Sequence, residues 1–210
     1  MIRYEEMMKG VLVVISGPSG TGKGTICSRL SRENSKLYNA ISLTTRPPRQ
    51  GEEDGVSYFF SSEEDFRRLI LEDALLEWAH VYGHYYGTLC EQVEEKLALG
   101  FDVILEIDTQ GAEQVRRREK EAIFIFLLPP SMEELWARIQ GRGTDSQAAI
   151  RERFAAARRE IEEACKYDYV VINEDVVETT KAVEAIILAE KCRAERNQNM
   201  IRRLKEGEKG

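Results

Sequence analysis

A glycine-rich loop that directly follows a short apolar run constrains the fold of this chain more than any other feature of its sequence. Residues 11–15 are all valine, leucine or isoleucine, and the residues from Gly17 to Lys23 have the spacing G-x-x-x-x-G-K. Glycines let the backbone turn tightly enough for successive N–H groups to converge on one anion, and the positive end of a following helix adds to the attraction. The sequence therefore predicts a phosphate-binding loop between a buried strand and a helix that begins near Lys23.

The residues of this loop predict a site for the phosphates of a nucleoside triphosphate, with Lys23 as a cation for the terminal phosphates. The loop departs from the usual pattern at one place. Gly24 stands where a serine or threonine hydroxyl normally binds the metal, and Thr25 follows one residue later. We therefore expect metal ligation to pass through Thr25, water and carboxylates. The predicted nucleotide-binding residues of the loop are Gly17, Pro18, Ser19, Gly20, Thr21, Gly22, Lys23, Gly24 and Thr25.

Composition excludes several other classes of protein. The chain has 210 residues and a formal charge of −7, and it contains no apolar stretch long enough to span a bilayer. The N-terminus carries Glu5 and Glu6 where a secretory signal would carry basic residues. We therefore expect a globular cytoplasmic protein that binds neither membranes nor, given its acidic charge, nucleic acid. The cysteines are widely separated and are expected to be reduced, mostly as packing residues: Cys27, Cys90, Cys165 and Cys192.

Apolar runs alternate with segments of helical periodicity over most of the chain. The short runs rich in β-branched residues are predicted to be strands buried on both faces, at 11–15, 103–107, 123–128 and 169–172. Helices are predicted at 91–99, after Ser131 and from about Glu178. This alternation is typical of an α/β fold with a mainly parallel sheet. Residues 193–210 are highly charged and are expected to be a solvated helix end.

Residues 40–90 interrupt the alternation and predict an inserted lobe. They contain strand-like runs at 56–60 and 75–79, a helix start at Ser61, and an aromatic run with glycines at 82–87.

Residues from about 137 to 160 form a second interruption, which is rich in arginine and contains Gly141 and Gly143. The segment fits two interpretations, a basic lid of hinged helices or a solvated helix whose arginines pair with nearby glutamates. Its arginines are Arg138, Arg142, Arg151, Arg153, Arg158 and Arg159.

The inserted lobe carries a second candidate phosphate site. Arg46 and Arg49 lie three residues apart on a proline-stiffened turn, and two planar guanidinium groups can hold one phosphate. Tyr58 and Tyr86 can donate phenolic hydrogen bonds to the same group. The alternative is a surface loop with solvated charges.

Glu77 is a carboxylate within the apolar run at 75–79. It is either an outward-facing strand residue or a group that faces a cavity of the lobe. In the second case it can accept hydrogen bonds from both N1–H and the N2 amino group of guanine, a pattern that adenine does not offer.

These motifs, in this order and spacing, resemble the guanylate kinase family from about Gly10 to Glu190. The resemblance implies transfer of a phosphoryl group from Mg-ATP to GMP or dGMP, with Mg²⁺ as the metal. It also implies a three-layer P-loop kinase core with a mainly parallel sheet, an inserted GMP-binding lobe and a lid. The motifs are residues 17–23, 42–49, 55–60, 77–78, 85–88, 106–111 and 141–143.

The resemblance implies roles for individual residues. It places Ser42, Glu77 and Thr88 on the guanine, Asp108 near the guanine and the metal's water, and Asn173 on the adenine. The residues implied to bind the GMP phosphate are Arg46, Arg49, Tyr58 and Tyr86. The residues implied to act on the transferring phosphate are Lys23, Arg46, Arg138, Arg142 and Arg153. Glu106 stands where aspartate is expected, and its carboxylate is still expected to bind substrate.

The implied division of the chain is a core at about 8–39, 91–136 and 161–205, a GMP-binding lobe at about 40–90 and a lid at about 137–160. Two alternatives stay open. One is a non-catalytic interaction module of the same fold, which commonly lacks the phosphate loop. The other is a kinase of a different nucleoside monophosphate, against which Glu77 and Thr88 weigh. An apolar face on the last helix suits either the core or a homo-oligomer.

Overall fold

The computed structural model describes residues 10–81, 83–141 and 147–206. In chain order, the elements in these ranges are β1 (Leu12–Ser16), α1 (Lys23–Glu33), β2 (Leu37–Asn39), β3 (Leu43–Thr44), β4 (Phe59–Phe60), α2 (Glu63–Leu71), β5 (Leu75–Val81), β6 (His84–Leu89), α3 (Cys90–Ala98), β7 (Asp102–Glu106), α4 (Thr109–Arg118), β8 (Ile123–Leu128), α5 (Met132–Gln140), α6 (Gln147–Glu162), a 3₁₀ turn (Glu163–Lys166), β9 (Tyr169–Ile172), α7 (Val176–Lys191) and α8 (Gln198–Glu206).

A five-stranded parallel sheet in the order β2-β7-β1-β8-β9 forms the centre of the molecule. Helices α1 and α7 cover one face, where Ile26, Leu30 and Val183 join the core, and helices α3 and α4 cover the other. Strands β1, β7 and β8 are almost wholly buried, because helices lie on both sides of them. The predicted α/β class with a mainly parallel sheet is confirmed.

Strand β9 does not follow the prediction that it is buried on both faces. Its Tyr169 and Val171 pack against the core, whereas Val170 and Ile172 are 48% and 58% exposed. The strand is the last of the sheet, and one of its faces points to solvent. The prediction is wrong because a short apolar run does not reveal whether a strand lies at the centre or at the edge of a sheet.

Residues 40–90 form a second sheet of four strands in the order β4-β3-β6-β5, with α2 packed on it. Strands β5 and β6 form an antiparallel hairpin, and the buried Phe66 of α2 packs with Leu43 and Leu75. Tyr82, which belongs to the predicted aromatic run, lies outside the described residues.

Two local predictions are wrong in this sheet. The strand predicted at 56–60 is reduced to Phe59–Phe60, and Val56 is 68% exposed. Helix α2 begins after Ser62, whose hydroxyl accepts from the N–H of Asp65 at 3.0 Å, and not after Ser61. Both serines have an acid three residues later, so the capping pattern does not distinguish the two starts.

Helices α5 and α6 occupy the arginine-rich segment. Ser131 caps α5 as predicted, because its hydroxyl accepts from the N–H three residues later at 3.1 Å. The two helices pack together, and the rings of Trp136 and Phe154 meet edge to face with centroids 4.9 Å apart. Arg142 and Gly143 lie outside the described residues.

The last two helices differ in burial. Helix α7 begins at Val176, two residues before its predicted start, because the carboxylate of Asp175 accepts from two of its first N–H groups. The expected solvated end of this helix is instead a separate helix, α8, in which no residue is buried. Within the described ranges, no helix is both long and apolar enough to cross a membrane.

All four cysteines are free thiols. Cys27 is buried and Cys90 is half-buried, which fits a packing role. Cys165 and Cys192 are exposed, so the packing prediction is wrong for these two.

Candidate functional site

The predicted phosphate-binding loop lies between β1 and α1. Gly17 has a φ of +146°, and a Cβ at this position would lie 2.3 Å from the carbonyl oxygen of Leu127. Gly22 has a φ of +91°, and a Cβ there would lie 2.5 Å from Nδ2 of Asn173. Backbone angle and space therefore both require glycine at these positions, and the loop passes close to the ends of β8 and β9.

Asn173 supports this loop from behind. The residue is 3% exposed, and its Nδ2 donates to the carbonyl oxygen of Thr21 at 2.6 Å. The hydroxyl of Thr21 in turn donates to the carbonyl oxygen of Pro18 at 2.8 Å. Asn173 is thus tied to the loop backbone, and its predicted contact with adenine stays a prediction.

Lys23 is the first residue of α1, and its ammonium group donates to the carbonyl oxygens of Gly17 and Pro18, the latter at 3.2 Å. Helix α1 has no side-chain cap and no acidic residue in its first turn. The positive end of the helix and the lysine therefore lie together at the loop, where both favour a bound anion.

A cavity of about 1000 Å³ joins the loop to the four-stranded sheet. Its wall is built from the loop, that sheet, the end of β7 with the start of α4, and α6. The predicted site residues in the wall are Gly17, Ser19, Gly20, Gly22, Lys23, Gly24, Thr25, Ser42, Tyr58, Glu77, Tyr86, Glu106 and Asp108.

Other predicted site residues lie outside this wall, within or next to the loop, on or beside the four-stranded sheet, or on the neighbouring helices. They are Pro18, Thr21, Arg46, Arg49, Thr88, Arg138, Arg153 and Asn173. Arg142 lies outside the described residues.

Glu77 faces the cavity from β5 although its side chain is almost wholly buried. The hydroxyl of Thr88, on the adjacent strand β6, donates to Oε1 of Glu77 at 2.7 Å. Burial raises the pKa of Glu77 from its ordinary 4.5 to about 7; the hydrogen bond from Thr88 opposes this rise and the charge of Asp108 adds to it. A carboxylate that costs free energy to bury, in a residue that lines a cavity, is suited to bind hydrogen-bond donors of a ligand.

The two predicted arginines of the second phosphate site are placed differently. Arg46 is buried, forms an ion pair with Glu52 at 2.8 Å and lies over the ring of Tyr58, 5.2 Å from its centroid. Arg49 is exposed, and its backbone N–H donates to the same Glu52 carboxylate at 2.8 Å. Tyr58 and Tyr86 meet edge to face, with centroids 6.2 Å apart, and both reach the cavity.

Gly24 and Glu106, which both depart from the expected patterns, lie next to each other in the cavity wall. A Cβ on Gly24 would lie 3.4 Å from Oε2 of Glu106. Thr25 and Asp108 also line the cavity, and Oδ1 of Asp108 accepts from the N–H of Gly111 at 2.8 Å as the cap of α4. In the part of the chain that the structure describes, no three histidine, cysteine, aspartate or glutamate side chains form a metal-binding group.

The described arginines of α5 and α6 differ in their positions relative to the cavity. Arg138 donates to the carbonyl oxygen of Asn173 at 3.2 and 3.3 Å and pairs with Glu134 at 2.8 Å. Arg153 is half-buried on α6, whereas Arg159 of the same helix lines the cavity.

Sequence reasoning did not assign several residues of the wall to the site. On α6 and the 3₁₀ turn these residues recur every three or four positions, so helical periodicity contained the signal for this face. On α4 they fall in the first turns of the helix, directly after its cap Asp108, which is a predicted site residue. The wall residues without a predicted role are, on these elements, Thr109, Gln110, Glu113, Glu152, Ala156, Arg159, Glu160 and Glu163, and elsewhere Ala79, Val81, Gly87 and Ile107.

Comparison with known proteins gives a consistent result. Residues 9–190 match the family model for guanylate kinase. The chain is 54% identical to a guanylate kinase of Caldanaerobacter subterraneus subsp. tengcongensis, with 94% of this chain and 96% of the relative covered. It is 52% identical to one of Clostridium tetani, with 96% of each covered. The crystal structure of guanylate kinase from Anaplasma phagocytophilum matches with a TM-score of 0.76 at 33% identity, covering 91% of this chain and 92% of that one.

Proposed function

This chain belongs to the guanylate kinase family, and we propose that it transfers the γ-phosphoryl group of ATP to GMP or dGMP. An oxygen of the monophosphate forms the new P–O bond, the bond between the β- and γ-phosphates of ATP breaks, and ADP leaves. The observation that carries the proposal is the cavity in which the phosphate-binding loop and the buried carboxylate of Glu77 share one wall.

Glu77 supplies the selectivity for guanine in this proposal. Its carboxylate accepts from N1–H and the N2 amino group, while the hydroxyl of Thr88 donates to that carboxylate and Ser42 lines the same cavity. Adenine presents an acceptor at N1 and nothing at C2, so it would leave the carboxylate buried without donors.

The phosphate of GMP is bound by Arg46, Arg49, Tyr58 and Tyr86. Support for this assignment comes from the two tyrosines in the wall and from Arg46, which packs on Tyr58. Arg46 would exchange or share its ion pair with Glu52 when a phosphate enters, and charge-assisted bonds to phosphate are strong enough to compete with it.

Phosphoryl transfer of this kind needs positioning and charge neutralisation more than covalent catalysis. The N–H groups of residues 17–25 and the ammonium of Lys23 hold the phosphates of ATP. The arginines that neutralise the transferring group are Arg46, Arg138, Arg142 and Arg153, and Asn173 contacts the adenine. Residues 137–160, which include Arg142, close over the cavity as a lid and exclude water.

Mg²⁺ accompanies ATP in the proposed reaction, where it neutralises phosphate charge. The residues present fit this ion, because Thr25, Glu106 and Asp108 place hydroxyl and carboxylate oxygens on the same wall. Mg²⁺ commonly takes one or two protein oxygens besides waters and substrate phosphates, so the missing hydroxyl at Gly24 does not prevent binding. Glu106 lies against Gly24 and supplies a carboxylate there.

The wider assignment follows from the same reaction. The chain divides into the core, GMP-binding lobe and lid at the boundaries given by the resemblance, and it acts in the cytoplasm in purine nucleotide metabolism. It acts on free nucleotides and binds neither nucleic acid nor membranes. Whether it does so as a monomer or as a homo-oligomer is decided by its mass in solution.

A coupled assay of ADP release with GMP, dGMP, AMP, CMP and UMP tests the function. We expect activity with GMP and dGMP far above that with the other three. Rapid phosphorylation of another monophosphate in preference to GMP would identify a different kinase. ADP release with none of them, from protein that binds GMP, would favour the non-catalytic module.

A further inference from the structure

One face of α4 holds the outer edge of strand β5. Gly111, Gln114 and Arg118 recur at helical spacing and therefore lie on the same side of the helix. Arg118 donates to the carbonyl oxygen of Leu75 at 2.9 Å and pairs with Asp73. This contact ties the beginning of the strand to the core of the protein.

Gly111 and Gln114 contact the next part of the strand. A Cβ on Gly111 would lie 2.3 Å from Oε2 of Glu77, so the helix backbone passes directly against the carboxylate. Gln114 donates from Nε2 to the carbonyl oxygen of Trp78 at 2.6 Å and accepts at Oε1 from the N–H of Trp78 at 3.2 Å. One side-chain amide thus takes both main-chain hydrogen bonds of the residue that follows Glu77.

The strand needs this contact because its own pairing is irregular here. Strand β5 is the last of the four-stranded sheet, so among the described residues no further strand pairs with its outer edge. On its inner edge the register with β6 shifts between Leu75 and Glu77. Such a bulge turns a side chain to a new direction and locally disrupts the ladder. Gln114 replaces the missing neighbour immediately after that disruption.

We propose that Gln114 is a positioning residue for guanine recognition, which fixes the direction of the Glu77 carboxylate by holding both backbone groups of Trp78. The inference rests on the proposed function. Gln114 is not among the described residues of the cavity wall, so it acts through the strand and not by touching the nucleotide. A carboxylate that accepts from two donors of one rigid base tolerates little rotation. A shift of the strand backbone that carries Glu77 would therefore weaken both hydrogen bonds to guanine.

The test compares Gln114→Met with the parent protein, because methionine keeps the length and the helix propensity but removes the amide. We expect KM for GMP to rise about tenfold, in line with the loss of one or two hydrogen bonds, while kcat and KM for ATP change less than about twofold. The preference for GMP over IMP, which lacks the N2 amino group, should fall. Gln114→Glu keeps the acceptor for Trp78 and should give an intermediate KM.

Arg117→Met is the matched control on the same helix, since Arg117 is exposed and makes an ion pair with Glu113 at 3.1 Å. We expect it to leave KM for GMP and the GMP-to-IMP ratio unchanged. Equal losses for GMP and IMP in Gln114→Met, together with a lower melting temperature, would show a merely structural role and overturn the proposal.

A double-mutant cycle with Glu77→Gln decides whether Gln114 acts through Glu77. In that background, Gln114→Met should raise KM for GMP by less than about twofold, because the carboxylate that it positions is already gone. A full additional increase would overturn the inference. If Gln114→Met fails to fold, the same cycle is measured with Gln114→Glu. A parent protein without GMP kinase activity would overturn the proposed function itself, whereas an active parent with an unchanged Gln114→Met refutes this inference alone.

Discussion

The two sheets of this protein are held in place by different kinds of interaction. The central sheet is parallel, is covered by helices on both faces, and is stabilised mainly by apolar burial. In the four-stranded sheet, β3 and β4 have only two residues each and most side chains of β4 and β6 are half-buried. Polar side chains of the core helices form hydrogen bonds with the backbone in and beside this sheet. Gln92 of α3 pairs with both backbone groups of Ile41 at 3.0 and 2.8 Å, as Gln114 does with Trp78.

This difference corresponds to a division of labour. The central sheet carries the loop proposed for the phosphate donor, and the four-stranded sheet carries groups proposed for the acceptor. Substitutions in the two parts should therefore affect different steps, and the following predictions test that separation.

Lys23→Ala should have the largest effect. We expect kcat to fall by about a hundredfold or more, because the charge that stabilises the transferring phosphates is removed. Binding of GMP alone, measured by calorimetry, should stay within about twofold of the parent value, since the lysine belongs to the donor side. An unchanged kcat would refute the assignment of the loop.

Glu77→Gln should damage the acceptor side. We expect kcat/KM for GMP to fall about a hundredfold and the low activity with AMP to change little, because a buried polar contact to guanine is lost. KM for ATP provides the internal control and should be nearly unchanged. Intact GMP kinetics in this variant would mean that the guanine site lies elsewhere.

The raised pKa of Glu77 predicts a pH dependence of stability. The folded state binds this proton more tightly than the unfolded state, so the stabilisation is fully present below about pH 4.5 and is lost as the pH rises through about 7. At pH 8 this group alone should cost roughly 3 kcal/mol, taking about 1.4 kcal/mol per unit of pKa. Thermal unfolding of the parent and of Glu77→Gln, between pH 5 and 8 without nucleotide, measures the difference.

The substitution should raise the melting temperature at pH 8 relative to the parent and have little effect at pH 5. Binding of GMP should strengthen between pH 6 and 8 in the parent, because the ligand pairs with the charged form. Parallel pH profiles for the two proteins would contradict both statements.

Thr25→Ala should have the smallest effect. We expect a several-fold higher requirement for free Mg²⁺ with little change at saturation, because waters, phosphates and Glu106 keep most of the coordination. Activity against free Mg²⁺ measures this, and Ser28→Ala on the exposed side of the same helix is the control. Coincident curves for Thr25→Ala and the parent would remove Thr25 from the metal site.

The same contrast explains which parts of the fold the sequence predicts. Strand β8 agrees with its predicted range, and α1 begins at Lys23 as expected, because burial on both faces and a glycine-rich turn leave clear local patterns. In residues 40–90, the predicted range of strand β4 and the predicted start of α2 are wrong, because their positions depend on contacts between distant parts of this segment. Periodicity cannot reveal such contacts.

The predicted site shows the same pattern. Loop residues follow from spacing alone, and Glu77 followed from the chemistry of guanine together with the resemblance. The hydrogen bonds of Asn173 with the loop backbone and of Gln114 with Trp78 cannot be predicted from the sequence, because each joins segments far apart in the chain through a single side-chain amide. The wall residues of α6 were within reach of a periodicity argument.

The composition of the cavity wall has a consequence for how fast nucleotides arrive. Among the described wall residues, carboxylates outnumber cations: the acids are Glu77, Glu106, Asp108, Glu113, Glu152, Glu160 and Glu163, and the bases are Lys23 and Arg159. The whole chain also carries a formal charge of −7, so we expect a nucleotide anion to approach against a net repulsive field, which added salt screens over about 10 Å at 0.1 M. Its association rate should rise with ionic strength, the opposite of electrostatic steering, and capture depends on the short-range contacts made after entry.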